Sequence, residues 1–357
     1  MRTDPTLSVR GSDPPRPALP HPALRLLHES SGPNVSLTTM AQRLTQDEWR
    51  PLEAAHHARV DALTATHLSQ QEGARKNPVE AFLFTYYVHR PAQLRRWHPG
   101  PAVALEDADE RAGWKFYRYA DGAVALDLEA FLTARAPAMG LIADLLSATA
   151  ARPAQLGCFG LHEWAMVYRQ TPQRRRHADW PLRLGQAGTD EVVESHQLRC
   201  SHFDAFRFFT DSARPLNNLA PQRSSQVAME QPGCLHANMD LYKWAYKLSP
   251  AVPSDLTADC FDLAREIREL DMRAAPYDLR PLGYEPVEIE TPAGKAAYVD
   301  AQRDFGARAQ VLRRRLTDVC DALLPHGPGA VQGLADDIGV TGVLGGLGDH
   351  VEQHSAR

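Results

Sequence analysis

The sequence predicts a mainly α-helical protein, built as a single large helical domain with a small β-hairpin element. Three observations support this fold class. Helix-starting signals recur along most of the chain, apolar residues between them repeat at helical spacing, and the best strand-turn-strand pattern is confined to one short segment. The 357 residues are 43% hydrophobic and 23% charged, which is typical of a globular protein.

The first two predicted helices have clear start signals. Thr45 can cap a helix over 46–70, and Asn77 followed by Pro78 is a strong start for a second one. The segment AFLFTYYVHR at 81–90 is apolar nearly all round, so we expect it to be a core helix that ends before the proline at position 91.

The best β-hairpin follows these helices. Residues 114–119 alternate between aromatic and polar side chains, Asp121-Gly122 is a hairpin turn signal, and 123–127 forms the returning strand.

Further helices are predicted after the hairpin. The residues at 201–204 indicate a capping box, and 211–232 should be a long polar loop. The predicted helical segments are 128–135, 138–150, a stretch from 153 to about 170, 203–209, 234–248, 254–273 and a last long helix after Thr291-Pro292.

The domain organisation follows from composition. Residues 1–40 contain seven prolines, and 326–357 is rich in glycine, so we expect two disordered or flexible tails around a helical domain over 41–325. Met40, directly before the first helical pattern, is a second candidate for the translation start. We find no signal peptide pattern in the first tail.

Composition also excludes some classes of protein. No run approaches the roughly 20 apolar residues of a membrane span, so we expect no membrane association, and no segment indicates a protein partner. The net charge of −5 argues against a protein that coats nucleic acid through bulk positive charge. The five cysteines are at least 26 residues apart, which fits neither a CxxC zinc site nor a disulfide framework. Reduced thiols in the cytoplasm are the simplest interpretation.

Four segments combine histidine, carboxylate and aromatic residues, a mixture that is enriched at functional sites because buried ionisable groups need partners. They are 157–169, 194–209, 231–247 and 259–273.

The histidines of these segments could form a metal site. His236 and Asp240 are four residues apart on a predicted helix and share one face, so they could bind one ion or each other. Together with His162 and His202 they would make a site for zinc or non-haem iron, if folding gathers the three imidazoles around one cavity. His162 is also a candidate catalytic base, and Glu163 could pair with an arginine instead. The alternative for each is a hydrogen-bonded core residue.

Other patterns favour structure over chemistry. Capping and the helix dipole are enough to explain Asp204 at a helix start. The acidic row from Asp259 to Glu269 alternates with arginines, as on an ion-paired surface. The chain lacks HExxH, GxSxG, P-loop and GxGxxG motifs. Residues 152–223 contain ten arginines against seven carboxylates, which would suit a local groove for nucleic acid as well as internal ion pairs.

Five long motifs resemble a bacterial family, frequent in high-GC actinobacteria, whose members are labelled 3-methyladenine DNA glycosylase. They are NPVEAFLFTYYVHRPAQLRRWHPG (77–100), GCFGLHEWAMVYR (157–169), HQLRCSHFDAFRFFT (196–210), QPGCLHANMDLYKWAYKLSP (231–250) and DCFDLAREIRELDMRAAPYDL (259–279). The resemblance covers roughly residues 45–320. The chain lacks the motifs of the helix-hairpin-helix, zinc-binding and alkyladenine-type glycosylases, so no catalytic residue can be transferred from those enzymes.

The resemblance implies a DNA repair hydrolase that excises alkylated adenine from DNA. Such an enzyme needs rings that stack on a flipped base, a carboxylate that stabilises an oxocarbenium ion or activates water, and cations that bind phosphate. The candidate rings are Trp164, Tyr242, Trp244 and Tyr246, the candidate carboxylates are Glu163, Asp204 and Asp240, and the candidate cations are Arg95, Arg96 and Arg199; His162 and His202 complete the candidate catalytic set.

Three hypotheses therefore remain. The first is the glycosylase, which should have a basic face leading to an aromatic pocket. The second is a metal-dependent enzyme for a small polar metabolite, in which at least three of the named histidines and carboxylates should converge. The third is a non-catalytic helical binding protein, which should show neither feature.

Overall fold

The structure, a computed structural model, describes residues 42–69 and 77–324. The two tails predicted at 1–40 and 326–357 lie outside the described residues.

Within these ranges, the chain forms eleven α-helices and one small sheet, which confirms the mainly α fold class. The helices are α1 (Gln46–Ser69), α2 (Phe82–Tyr86), α3 (Pro91–Leu94), α4 (Leu128–Ala150), α5 (Leu161–Ala165), α6 (Gly185–Ser195), α7 (Phe203–Phe206), α8 (Gln226–Met229), α9 (Leu235–Lys247), α10 (Ser254–Arg273) and α11 (Pro292–Leu323). The strands are β1 (Gln42–Leu44), β2 (Val103–Glu106), β3 (Tyr117–Ala120) and β4 (Ala123–Leu126).

Four long helices form the core. α9 packs against α10 and α11, α10 packs against α11, and α11 also packs along α4. The largest apolar cluster, which includes Leu146, Leu241, Phe261 and Leu316, fills the space between them. Removal of this apolar surface from water stabilises the bundle, and it holds α9 and α10 rigidly beside each other.

Local sequence determines where several helices begin. The Asp127 side chain accepts a hydrogen bond from the backbone N–H of Ala130 at the start of α4, and the Thr291 hydroxyl accepts one from Gly294 at the start of α11. Each cap satisfies a donor that the first turn leaves free. The predicted helices over 46–70, 234–248, 254–273 and after residue 291 are confirmed.

The sheet has the strand order β1-β2-β4-β3, with β1 and β2 parallel and the other pairs antiparallel. The predicted hairpin forms β3 and β4, with Asp121 and Gly122 at positive φ in the turn. We did not predict β1 and β2. Both have only three or four residues and are paired across about sixty residues of chain, so no local pattern reveals them.

The helices predicted separately at 128–135 and 138–150 form one continuous helix. α4 runs continuously from 128 to 150 although Pro137 lies inside it. Proline removes one helical hydrogen bond. Phe131 before it and Met139 and Leu146 after it are all buried in the main core, and this packing on both sides keeps the two halves aligned.

Other predicted helices are shorter than expected. The segment at 81–90 is helical only at Phe82–Tyr86, because Tyr87 turns into extended backbone and the residue before Pro91 is extended as well. α5 and α7 are also single turns.

The capping box predicted at 201–204 is wrong: the N-cap of α7 is His202, which makes no side-chain capping bond. The predicted loop at 211–232 contains the short helix α8.

Among the described residues, α4 is long and apolar enough to cross a membrane by length and composition. Core helices of soluble proteins have the same properties, and 39% of its apolar window is buried inside this fold. The expectation of no membrane association remains a prediction.

Candidate functional site

The three histidines of the separate sequence segments lie together. His162 is on α5, His236 is on α9 and His202 directly precedes α7. The ring centroids of His162 and His236 are 4.2 Å apart and nearly perpendicular, and those of His202 and His236 are 5.3 Å apart. Gly160, at a positive φ of 68°, turns the chain into α5 and so brings His162 towards the core.

His162 and His236 form one group with Asp271 of α10, here called the Asp271 group. One potential ligand atom of each residue lies within 4.8 Å of the others. His162 Nε2 is 3.2 Å from Asp271 Oδ1 and 3.3 Å from Oδ2. The buried guanidinium of Arg268 donates to Asp271 Oδ2 at 3.1 Å and to Glu163 Oε1 at 2.9 Å. Glu163 therefore pairs with an arginine, one of its two predicted roles.

His202 forms a second group with Glu230 and Asp240, here called the Asp240 group. His202 Nε2 is 3.3 Å from Glu230 Oε1 and 3.4 Å from Asp240 Oδ2. The Tyr87 hydroxyl donates to Asp240 Oδ1, and the Lys243 ammonium donates to Oδ2, each at 2.8 Å.

The structure thus divides the predicted ligand set of His162, His202, His236 and Asp240 between two neighbouring groups. His236 and Asp240 are on one side of α9, but four residues span about 6 Å of helix, which is enough to give each residue its own partners. We did not identify Asp271 or Glu230 from the sequence. Asp271 is in the fourth of the mixed segments, and Glu230 directly precedes the third. Their position in or next to these segments is the only feature of the sequence that could have indicated them.

The charged side chains of the Asp271 group shift one another's pKa values. Burial alone would lower the pKa of His162, but the Asp271 carboxylate raises it above its ordinary value. Burial would raise the pKa of Asp271, yet His162, His236 and Arg268 hold it well below its usual range. Burial and the nearby charge of His162 lower the pKa of His236 to about 3, so this ring is neutral at pH 7.

The charged side chains of the Asp240 group also shift one another's pKa values. Burial would lower the pKa of His202, but Asp240 and Glu230 raise it. Burial raises the pKa of Glu230. It would also raise the pKa of Asp240, but Lys243 and His202 hold it far below its ordinary value.

Some buried polar atoms at these groups have no hydrogen-bond partner, among them Glu163 Oε2 and His202 Nδ1. Buried polar groups are normally paired with protein or water, so these atoms are candidates for contact with a bound water, ion or small molecule.

A small cavity opens beside the Asp271 group. It has a volume of about 30 Å³, which is room for a water molecule or two. Its polar lining includes His162, His236, Arg199, Tyr298 and three cysteine thiols, Cys158, Cys200 and Cys234.

A much larger cleft, of about 890 Å³, lies on the other side of the Asp240 group, and we call it the basic cleft. Its seven strongly basic side chains are Arg96, Lys115, Arg135, Arg207, Arg223, Lys243 and Lys247, against the two carboxylates of Asp144 and Asp204. Its rings include Tyr86, His89, Trp114, Trp244 and Tyr246. Cations and aromatic rings together suit a ligand that carries both phosphate and a flat ring.

Asp204 is the carboxylate where this cleft meets the buried groups. It accepts hydrogen bonds from Arg223 at 3.2 Å and Lys243 at 3.3 Å. Burial would raise the pKa of Asp204, but Lys243 and Arg223 hold it below its ordinary value, so the group is ionised at neutral pH. It serves as a fixed negative charge rather than as a helix cap.

The structure places the other predicted substrate-binding residues in four environments. Arg96 and Trp244 line the basic cleft, and Arg199 lines the small cavity. Trp164 and Tyr242 are completely buried in the core, where the Trp164 indole donates to the carbonyl of Ala274 at 2.8 Å.

Arg95 lies on the surface outside the cleft. Its guanidinium pairs with Asp61 at 2.8 Å, and both side chains are about half exposed. The lining of the basic cleft therefore does not include Arg95, Trp164 or Tyr242, and these residues would not contact a ligand bound there.

No protein-family model, curated protein or solved structure matches this chain.

Proposed function

We propose that the chain is a DNA base glycosylase, which holds an alkylated adenine nucleotide in the basic cleft and hydrolyses its N-glycosidic bond. One observation carries the proposal: stacking rings and an excess of cations surround an ionised carboxylate, Asp204, in one cleft. At about 890 Å³, the cleft is large enough for a flipped nucleotide. The family resemblance of the sequence motifs points to the same substrate.

Different residues of the cleft would bind the base, bind the phosphates and stabilise the reacting sugar. Trp244 and Tyr246 would stack on the flipped base, and Arg96 and Lys247 would bind the flanking phosphates. An N3-alkylated adenine is cationic, so its bond to C1′ can break with the electron pair on the base and no added proton. The negative charge of Asp204 would stabilise the resulting oxocarbenium ion. Water then bonds to C1′ and releases its proton to solvent.

The test is release of free base from methylated duplex DNA in single-turnover experiments with Asp204→Asn. We expect the rate to fall by about 10²-fold or more, since a single preorganised charge contributes that much. DNA affinity should not fall, because the substitution frees Lys243 and Arg223 for phosphate. The matched control is Asp262→Asn, which removes a half-exposed carboxylate paired with Arg265 on α10. An unchanged rate in Asp204→Asn, or no base release by the wild-type protein, would refute the proposal.

A second candidate function is a metal-dependent enzyme that acts on a small polar metabolite. It is favoured by a specific observation: the described residues contain two groups in which histidine and carboxylate atoms lie within 4.8 Å of one another. Metal bound in stoichiometric amount, combined with no release of base from methylated DNA, would favour this candidate over the glycosylase.

A further inference from the structure

We infer that His162, His236 and Asp271 bind one divalent transition-metal ion, zinc or iron(II), and that the neighbouring Asp240 group binds none. The inference deepens the second candidate function and rests on the same residues. It is independent of the chemistry proposed for the basic cleft.

The distances between His162 and Asp271 match those between two ligands of one metal ion. Two atoms that each lie about 2.0–2.1 Å from one ion at a tetrahedral angle are about 3.3–3.4 Å apart. His162 Nε2 lies 3.2 and 3.3 Å from the two oxygens of Asp271, and a nitrogen of His236 lies within the same cluster. The three side chains come from α5, α9 and α10, whose packing holds them in place.

One carboxylate oxygen of this group faces another proposed ligand. Asp271 Oδ1 is buried and lies 3.2 Å from His162 Nε2, while Oδ2 accepts from Arg268. A ligating carboxylate commonly has this arrangement, in which an outer group binds one oxygen and orients the other towards the metal. Arg268 also contacts Glu163, so its position is fixed from two sides.

The site also has an open side. His162 and His236 line the small cavity, and Tyr298, whose hydroxyl contacts the Cys158 thiol, lies in the same lining. Two histidines and one carboxylate with space for water are the ligand set of catalytic zinc sites and of non-haem iron(II) sites. The volume of about 30 Å³ admits water or another ligand of similar size.

The Asp240 group has similar distances, but the carboxylate oxygens nearest to His202 already accept hydrogen bonds from other side chains. Asp240 Oδ2, the oxygen nearest to His202, already accepts from the Lys243 ammonium at 2.8 Å. Glu230 Oε1, its other neighbour, accepts from Gln226 Nε2 at 2.7 Å. A divalent ion bound to Asp240 Oδ2 would lie against the Lys243 ammonium, and the like charges would repel each other.

The experiment measures metal content, not activity. The full-length protein is incubated separately with Zn²⁺ and with Fe²⁺ under anaerobic conditions, passed through a desalting column and analysed by elemental mass spectrometry. We expect one ion per chain with at least one of the two metals. His236→Ala and Asp271→Asn should each reduce this to below about one tenth, whereas the matched control Glu230→Gln should retain it.

Two further measurements keep the test interpretable. Far-UV circular dichroism selects the variants that are folded, and His236 is the ligand of choice because it is the least buried of the three. Co²⁺ loaded in place of zinc should give visible absorption that disappears in His236→Ala and persists in Glu230→Gln.

Three outcomes would overturn the inference: no metal retained by the wild-type protein, two ions per chain, or metal lost in Glu230→Gln but kept in His236→Ala. Base release is measured separately, so failure of the metal site and failure of the cleft are distinguishable.

Discussion

The Lys243 ammonium lies 2.8 Å from Asp240 Oδ2, one helical turn away on α9, and 3.3 Å from Asp204 Oδ2. Lys243 therefore joins the basic cleft to the buried Asp240 group: one of its partners lines the cleft, and the other is only 1% exposed. The charge of Asp240 depends on this contact, since burial of an unpaired carboxylate is unfavourable.

Lys243→Met should destabilise the fold by about 3–5 kcal/mol, because it leaves the buried Asp240 carboxylate without its ammonium partner. The free energy of unfolding from urea titration measures the effect. Lys115→Met is the matched control, since Lys115 is an exposed lysine of the same cleft, and it should change stability by less than about 0.5 kcal/mol. Equal stabilities of the two variants would show that the Lys243–Asp240 contact contributes little.

Arg96→Gln should weaken binding of methylated DNA and make it less sensitive to salt. The Arg96 guanidinium lies 5.5 Å from the Trp114 ring centroid and lines the cleft, where it can replace a counterion on a phosphate. The slope of log K against log salt should fall in magnitude by about one, as for the loss of one phosphate contact.

Fluorescence anisotropy between low and physiological salt measures this slope. Arg303→Gln removes an exposed arginine of α11 that pairs with Asp300, and it should leave the slope unchanged. An unaltered slope in Arg96→Gln would exclude Arg96 from the DNA-binding surface.

The protein should lose stability in mild acid, partly through His89. This ring stacks on Tyr246 at 4.6 Å, and burial lowers its pKa to about 4. The unfolded chain binds a proton near pH 6.5 and the folded chain does not, so stability falls as the pH decreases from about 6.5 to 4. The contribution of His89 over that range is about 1–3 kcal/mol.

His89→Gln removes this titration, so its unfolding free energy should vary less with pH than that of the wild type over pH 4–6.5. NMR titration of the wild-type ring gives an independent check. A ring that titrates near pH 6.5, or equal pH dependence in the two proteins, would contradict the assignment.

The sequence alone was sufficient for most of the long helices and for the hairpin. Thr291 caps a helix through an atom three residues away, and Asp121-Gly122 makes the turn between β3 and β4 within two residues. Such signals act over a few residues, so they can be recognised without knowledge of the fold. The mixed composition of the segments around His162 and His236 was equally visible.

Only the tertiary structure determined how these segments combine. The partner of His162 is Asp271, 109 residues away, and the core packing of α5 against α9 and α10 brings the two together. The same packing divides the histidines between two carboxylate groups and buries Trp164 and Tyr242 away from the basic cleft. Contacts of this kind depend on how whole helices pack, and no local pattern in the sequence encodes which side chains then meet.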